Sequence, residues 1–194
     1  MNAEIITIGS EILYGDTVDT NSAYIGRQLA GIGIRVDYIT SIADTRRKIA
    51  EALGNALKRA RFVIITGGLG PTDDDITRNA IAAFFKKKLV FNRATFERIR
   101  RQFKVRKFPL TPTNRVQAYV PQGAKVMTNR AGNAAGFIIT RRKRHCLVMP
   151  GVPREMKAML DTEAIPFIKK QVKADAILHC TLHTTGIGES TLYD

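Results

Sequence analysis

Apolar residues fall in short runs separated by polar, periodic stretches. Ala3–Gly9 is an apolar run rich in β-branched residues and predicts a central strand. Ile25, Leu29 and Ile32 then recur at i, i+4 and i+7, which predicts a helix capped by Thr20 or Asn21 and closed by Gly31 and Gly33. Val36–Ile42 reads as a second strand. Asp44 or Thr45 can cap a second helix with Ile49, Leu53 and Leu57 on one face. Phe62–Thr66 is a third strand, and Asp74 or Asp75 opens a helix that turns Ile76, Ala80, Ile81 and Phe84 inward. Strand and helix alternate three times with short links, so the chain reads as α/β, a parallel sheet with helices on both faces.

The pattern changes after Phe85. Arg93–Phe103 is an amphipathic helix, Phe108–Pro112 an exposed loop, and Thr113–Tyr119 a short helix. Gly136–Thr140 and His145–Met149 flank a basic tip, Arg141–Arg144, and read as a small hairpin. Pro153 suits the first turn of a helix running through Met156, Met159 and Leu160, and Pro166 should kink or end it. Ala176–Thr185 reads as a strand. The chain stops at Asp194, one turn into an apparent helix, which suggests a shortened protein.

With 194 residues and 44% hydrophobic content, the chain suits one well-cored domain plus an appendage. No apolar stretch reaches the ~18 residues of a membrane span, and the N-terminus lacks a signal-peptide layout. Cys146 and Cys180 have no metal-ligand spacing. They fit buried, reduced thiols of a cytoplasmic protein.

Charge changes the picture more. The net charge is +14, from 31 Lys+Arg against 17 Asp+Glu. Ten basic residues and one acid, Glu97, lie between Lys86 and Lys107, and a second cluster is Arg141–Arg144. A nucleic acid can bind such clusters. No zinc-finger, RNP or basic-zipper pattern accompanies them, so a solvated basic face is favoured.

Against this background one run stands out: Thr66-Gly67-Gly68-Leu69-Gly70-Pro71-Thr72-Asp73-Asp74-Asp75-Ile76-Thr77. Glycines let a backbone approach a phosphate closely, and a helix N-terminus offers free N–H groups. Three adjacent carboxylates would repel a bare polyphosphate unless a divalent cation such as Mg²⁺ bridged them. Their other reading is helix capping. No Lys-Ser/Thr pair follows, so this is not a P-loop.

Ligands of doubly wound sheets bind beyond the carboxyl ends of the strands, where Gly9-Ser10-Glu11, Asp44, the glycine run and Pro150–Glu155 would meet. Asp75, Asp74 and Glu11 are the candidate metal ligands and catalytic acids. Glu11 could equally be a solvated loop acid, and Asn21 a helix cap or a ligand contact. Asn114 and Arg115 sit in a Pro-flanked loop where Arg115 could grip a phosphate. His145, His179 and His183 pair with no nucleophile and read as structural or solvated.

Together these stretches resemble the N-terminal domain of the CinA (competence/damage-inducible) proteins, a branch of the molybdopterin-binding MoaB/Mog-like superfamily. The matching segments are Gly9–Leu13 with Gly15, Asp19–Asn21 with Leu29, Asp44, Thr66–Thr77, Pro112–Ala118, Asn129 with Gly132 and Gly136, and Met149–Met156. The resemblance implies a three-layer α/β/α sandwich over residues 1–170, a start of a connecting segment at 171–194, and a metal-dependent site. In the CinA branch it implies hydrolysis of ADP-ribose to AMP and ribose 5-phosphate, and a metal-dependent hydrolase of such a nucleotide-sugar diphosphate is the first reading. In the wider superfamily it implies binding or adenylylation of molybdopterin. By position Asp75 matches the essential acid, and Gly67, Gly68 and Gly70 the anion-binding turn. Further ligand contacts are expected from Gly9, Ser10, Asn21, Asp44, Thr66, Thr72, Thr77, Asn114, Arg115, Pro150, Gly151, Pro153, Arg154 and Glu155. A homo-oligomer is expected, with Phe108 and Leu110 suited to an interface.

Overall fold

The computed structural model describes residues 1–172 together with 185 and 186. The expected strand at 176–185, apart from Thr185, lies outside the described residues, as do Cys180, His179, His183 and most of the final Gly-Ile-Gly-Glu-Ser segment.

β1 (Asn2–Ile8) is the hub of the sheet and pairs in parallel with both β2 (Arg35–Ile42) and β3 (Phe62–Thr66). The remaining strands of the region are β4 (Leu89–Phe91), β5 (Tyr119–Pro121), β6 (Lys125–Met127), β7 (Gly136–Arg141) and β8 (Arg144–Met149). β8 joins β3 in parallel, and β7 and β6 follow antiparallel, giving the order β2-β1-β3-β8-β7-β6. The basic-tipped hairpin is thus part of the central sheet. The small subregion is instead the antiparallel pair β4–β5, which the sequence pattern did not show.

Side chains alternate along β3 between two cores, as the pleat requires. Phe62 and Ile64 face one cluster with Ile25, Leu29, Met156 and Ile168. Val63 and Ile65 face the other with Ile49, Leu53, Ile81 and Phe137. Helices α2 (Thr20–Ala30), α6 (Pro153–Met159) and α7 (Ile165–Gln171) cover the first face; α3 (Arg46–Arg59) and α4 (Thr77–Phe84) cover the second. The result is the mostly parallel three-layer sandwich that was expected.

Local signals needed correction at several helix ends. Asp19, not Thr20 or Asn21, caps α2 by accepting from the Ser22 N–H. Thr45, not Asp44, caps α3. Neither Asp74 nor Asp75 opens α4, which starts at Thr77 behind Ile76. Pro166 does not end its helix: a π turn, Leu160–Ala164, precedes it and the chain continues into α7. The extra residue in that turn accommodates the proline, which has no N–H to donate. α1 (Ser10–Leu13) is a single turn after β1, α5 spans Arg93–Val105, and Pro112–Ala118 is a 3₁₀ turn.

Candidate functional site

The parallel strands end together: Thr66 lies beside both Thr7 and Met149, and Ile8 beside Ile42. Their turns enclose a cleft of about 890 Å³. Its first wall is the turn after β1. Gly9 donates to the Ile42 carbonyl (3.1 Å), and Asp44 accepts from the Ser10 N–H (3.0 Å) and hydroxyl (3.3 Å). Asp44 therefore fixes this turn instead of capping a helix.

The second wall is the glycine run. Gly67 has φ 112°, and a Cβ there would stand 2.0 Å from the Ile8 carbonyl oxygen. Gly68 has φ 63°, and a Cβ there would stand 2.1 Å from Thr77 Oγ1. No other residue fits at either position. The N–H groups of Gly68 and Gly70 have no acceptor among the described residues. Asp75 folds back on this turn, its Oδ2 accepting from the Thr72 N–H (3.0 Å) and hydroxyl (2.6 Å). Asp75 is half-buried; Asp73 and Asp74 are exposed, and only Asp74 and Asp75 line the cleft.

The third wall is the turn after β8. Thr66 Oγ1 donates to the Pro150 carbonyl (2.8 Å), and Asn21 Nδ2 to that of Gly151 (2.7 Å). Asn21 is thus a buried strut, although its Oδ1 is buried without a partner. Glu155 lines the cleft and accepts from Asn129 Nδ2 (2.7 Å).

The structure gathers Gly9, Ser10, Glu11, Asn21, Asp44, Thr66, Gly67, Gly68, Gly70, Asp74, Asp75, Pro150, Gly151, Pro153 and Glu155 around this cleft. It does not bring the others there. Thr72 serves as the partner of Asp75, and Thr77 is fully buried behind Gly68. Asn114 closes a capping box with Thr111. Arg115 stacks on Phe91, 4.8 Å from the ring centroid, and is not a phosphate grip in this cleft. Arg154 is exposed and reaches the Ala131 carbonyl (3.3 Å). His145 is buried and stacked on Phe62, as a structural histidine should be.

Three side chains with no sequence signal support the walls. Arg78 is almost fully buried and donates to the Leu69 carbonyl (2.8 Å), so its cation sits behind the glycine turn. Burial lowers its pKa to about 10, against the opposing pull of Asp75. Arg98, from the basic run, donates to the carbonyls of Asn129, Gly132 and Asn133, each at 2.6 Å. Gln117 is buried in the cleft wall with its Oε1 unpartnered. Nothing in an i, i+4 or alternating pattern marks these positions.

The electrostatics are one-sided. Six carboxylates line the cleft (Glu11, Asp19, Asp44, Asp74, Asp75 and Glu155), and no lysine or arginine does, in a chain of net charge +14. Among the described residues no three His, Cys, Asp or Glu side chains converge to form a metal cage. Cys146 is buried in the core, which pushes its thiol well up and makes it inert. Among the described residues no helix is long and apolar enough to cross a membrane.

A family model described as a probable molybdopterin binding domain matches residues 4–170. The chain is 43% identical over 192 residues to a protein named as competence-damage inducible from Halothermothrix orenii, covering 99% of this chain and 46% of that protein. It is 41% identical over 189 residues to a CinA-like protein from Kosmotoga olearia, covering 97% and 46%. The chain therefore spans about half the length of these relatives. Among solved structures it is similar to the protein CinA from Thermoplasma acidophilum, whose function is described as unknown. That match has a TM-score of 0.77 and 33% identity, covering 88% of this chain and 98% of that one. The tungsten cofactor synthesizing protein MoaB from Pyrococcus furiosus shares the fold at a TM-score of 0.56 and 20% identity, covering 88% and 96%.

Proposed function

From the premise that the chain belongs to the probable molybdopterin binding domain family, its CinA-like members included, we propose that the cleft binds a phosphorylated pterin of the molybdopterin class together with a divalent cation. The observation that carries this reading is the acid-only lining beside a glycine turn with unclaimed N–H groups. Those N–H groups suit phosphate oxygens, while the carboxylates would repel them without a positive charge between.

Asp75, with Glu11 or Asp74, would hold a cation that shares its coordination with the ligand, since Mg²⁺ commonly takes one or two protein carboxylates and completes its sphere with phosphates and water. Such an ion, when bound, neutralises phosphate oxygens and acidifies a water. The chain's own residues do the rest. Asp44 sets the Ser10 turn, Thr72 fixes the Asp75 carboxylate, and Arg78 backs the glycine turn with a buried charge.

A second reading is hydrolysis of a nucleotide-sugar diphosphate such as ADP-ribose to AMP and ribose 5-phosphate. The presence of Glu11 and Asp75 on separate walls of one cleft favours it, because a cation held at each wall would meet one of the paired phosphates. Calorimetric titration with molybdopterin and with ADP-ribose, each with and without Mg²⁺ and followed by product analysis, separates the readings. Cation-dependent binding of the pterin without diphosphate cleavage supports the first. Release of AMP supports the second. Cation-independent binding of both ligands removes the basis of each. A homo-oligomer fits the exposure of Phe108, whereas Leu110 is half-buried rather than exposed as expected, and sedimentation would show it.

A further inference from the structure

At the opposite edge of the sheet the strands begin together. Ala3 pairs with Phe62, and Phe62 with His145, so the residues just before them, Asn2, Arg61 and Arg144, lie side by side. With Arg59, Arg142 and Lys143 they line a shallow concavity of about 300 Å³. Five cations thus meet in one hollow.

Three of them are held in place. Glu4, buried beneath, accepts from Arg59 Nε and Nη2 at 2.8 Å each. Arg61 Nη2 donates to the Gln171 carbonyl (3.0 Å), and Arg144 Nη1 to the Ala60 carbonyl (2.8 Å). Carbonyls orient these guanidinium groups without neutralising them, and Glu4 is the only carboxylate paired with any of the five among the described residues. The field is felt nearby: burial, and after it the Arg61 charge, lowers the His145 pKa.

The other two cations sit at the hairpin tip in left-handed backbone, Arg142 at φ 50° and Lys143 at φ 63°. A two-residue turn of this kind favours Asn-Gly, and a long side chain there costs roughly 1 kcal/mol per residue. Folding alone gives no reason to retain them, and mutual repulsion adds to the cost.

We propose that this hollow is a second anion site, separate from the cleft, that takes the clustered phosphate groups of a polyphosphate chain. Oriented guanidinium forks match phosphate oxygens in a bidentate manner. The source of those phosphates is either a free oligophosphate or the backbone of a nucleic acid.

The test is tripolyphosphate titration by calorimetry at low salt, comparing the wild type, Arg142→Asn/Lys143→Gly and Asp75→Asn. The double substitution removes two cations and installs the preferred turn, so it keeps the hairpin folded. Its affinity should fall roughly tenfold or more while its melting temperature rises. Asp75→Asn should bind as the wild type does, which keeps this result distinct from the fate of the cleft. A short single-stranded oligonucleotide forms the second arm. If it binds more tightly than tripolyphosphate and displaces it, the source is a nucleic acid backbone. If it binds more weakly, the source is a free oligophosphate. No tripolyphosphate binding, or equal binding by the double variant, overturns the site.

Discussion

Where the parallel strands end, the chain sets Glu11, Asp44, Asp74, Asp75 and Glu155 around a deep cleft with no lysine or arginine in its lining. Where the same strands begin, about 20 Å away by strand length, it sets Arg59, Arg61, Arg142, Lys143 and Arg144 around a shallow hollow. As proposed, both regions take phosphorylated ligands, by opposite means. The cleft would offer backbone N–H groups and take a cation from outside. The hollow brings its own cations and needs no metal. A net charge of +14 therefore says little about either region until the fold sorts the charges.

Asp75→Asn should break the cleft side of this contrast with the largest effect. Cation-dependent ligand handling should fall by at least roughly 100-fold, with the far-ultraviolet circular dichroism unchanged. Full activity in that variant would remove Asp75 from the site.

Arg98→Met should come next. It leaves the carbonyls of Asn129, Gly132 and Asn133 without their donor, and chemical denaturation should show a loss of about 2–4 kcal/mol. The hollow should keep its phosphate affinity in this variant.

Arg142→Asn/Lys143→Gly should move stability in the other direction, raising it by about 1 kcal/mol in thermal unfolding. Combined with Asp75→Asn, its effects on the two ligands should add, because the regions share no contact.

The smallest effect concerns His145, whose pKa burial lowers below its ordinary 6.5. The unfolded chain then takes up a proton that the folded one refuses. This residue's contribution is intact above about pH 6.5 and lost as pH falls below it. His145→Phe should flatten the decline in stability between about pH 6.5 and 5.

The parallel half of the fold was legible in the sequence because its strands are continuous apolar runs and its helices repeat at i, i+4, as in Ile49, Leu53 and Leu57. β4, β5 and β6 were not, since three residues are too few to show a period. The turns of the cleft could be read from Gly67, Gly68 and the acids after them. The distinction between Asp74, which stays exposed, and Asp75, which folds back on Thr72, needed coordinates. Arg115 lies outside the cleft lining because it stacks on Phe91 and Phe96, and no local pattern reports a partner some 20 residues away. Arg98 was hidden in plain view, one of ten cations in a run that looked solvated.

That last residue ties two parts of the molecule into one mechanism. Arg98 is rooted in α5, and its three anchor points lie in the 129–133 loop, whose Asn129 in turn grips Glu155 on the cleft wall. A displacement of α5 would reach the wall of the chamber where the ligand would sit through a single planar side chain.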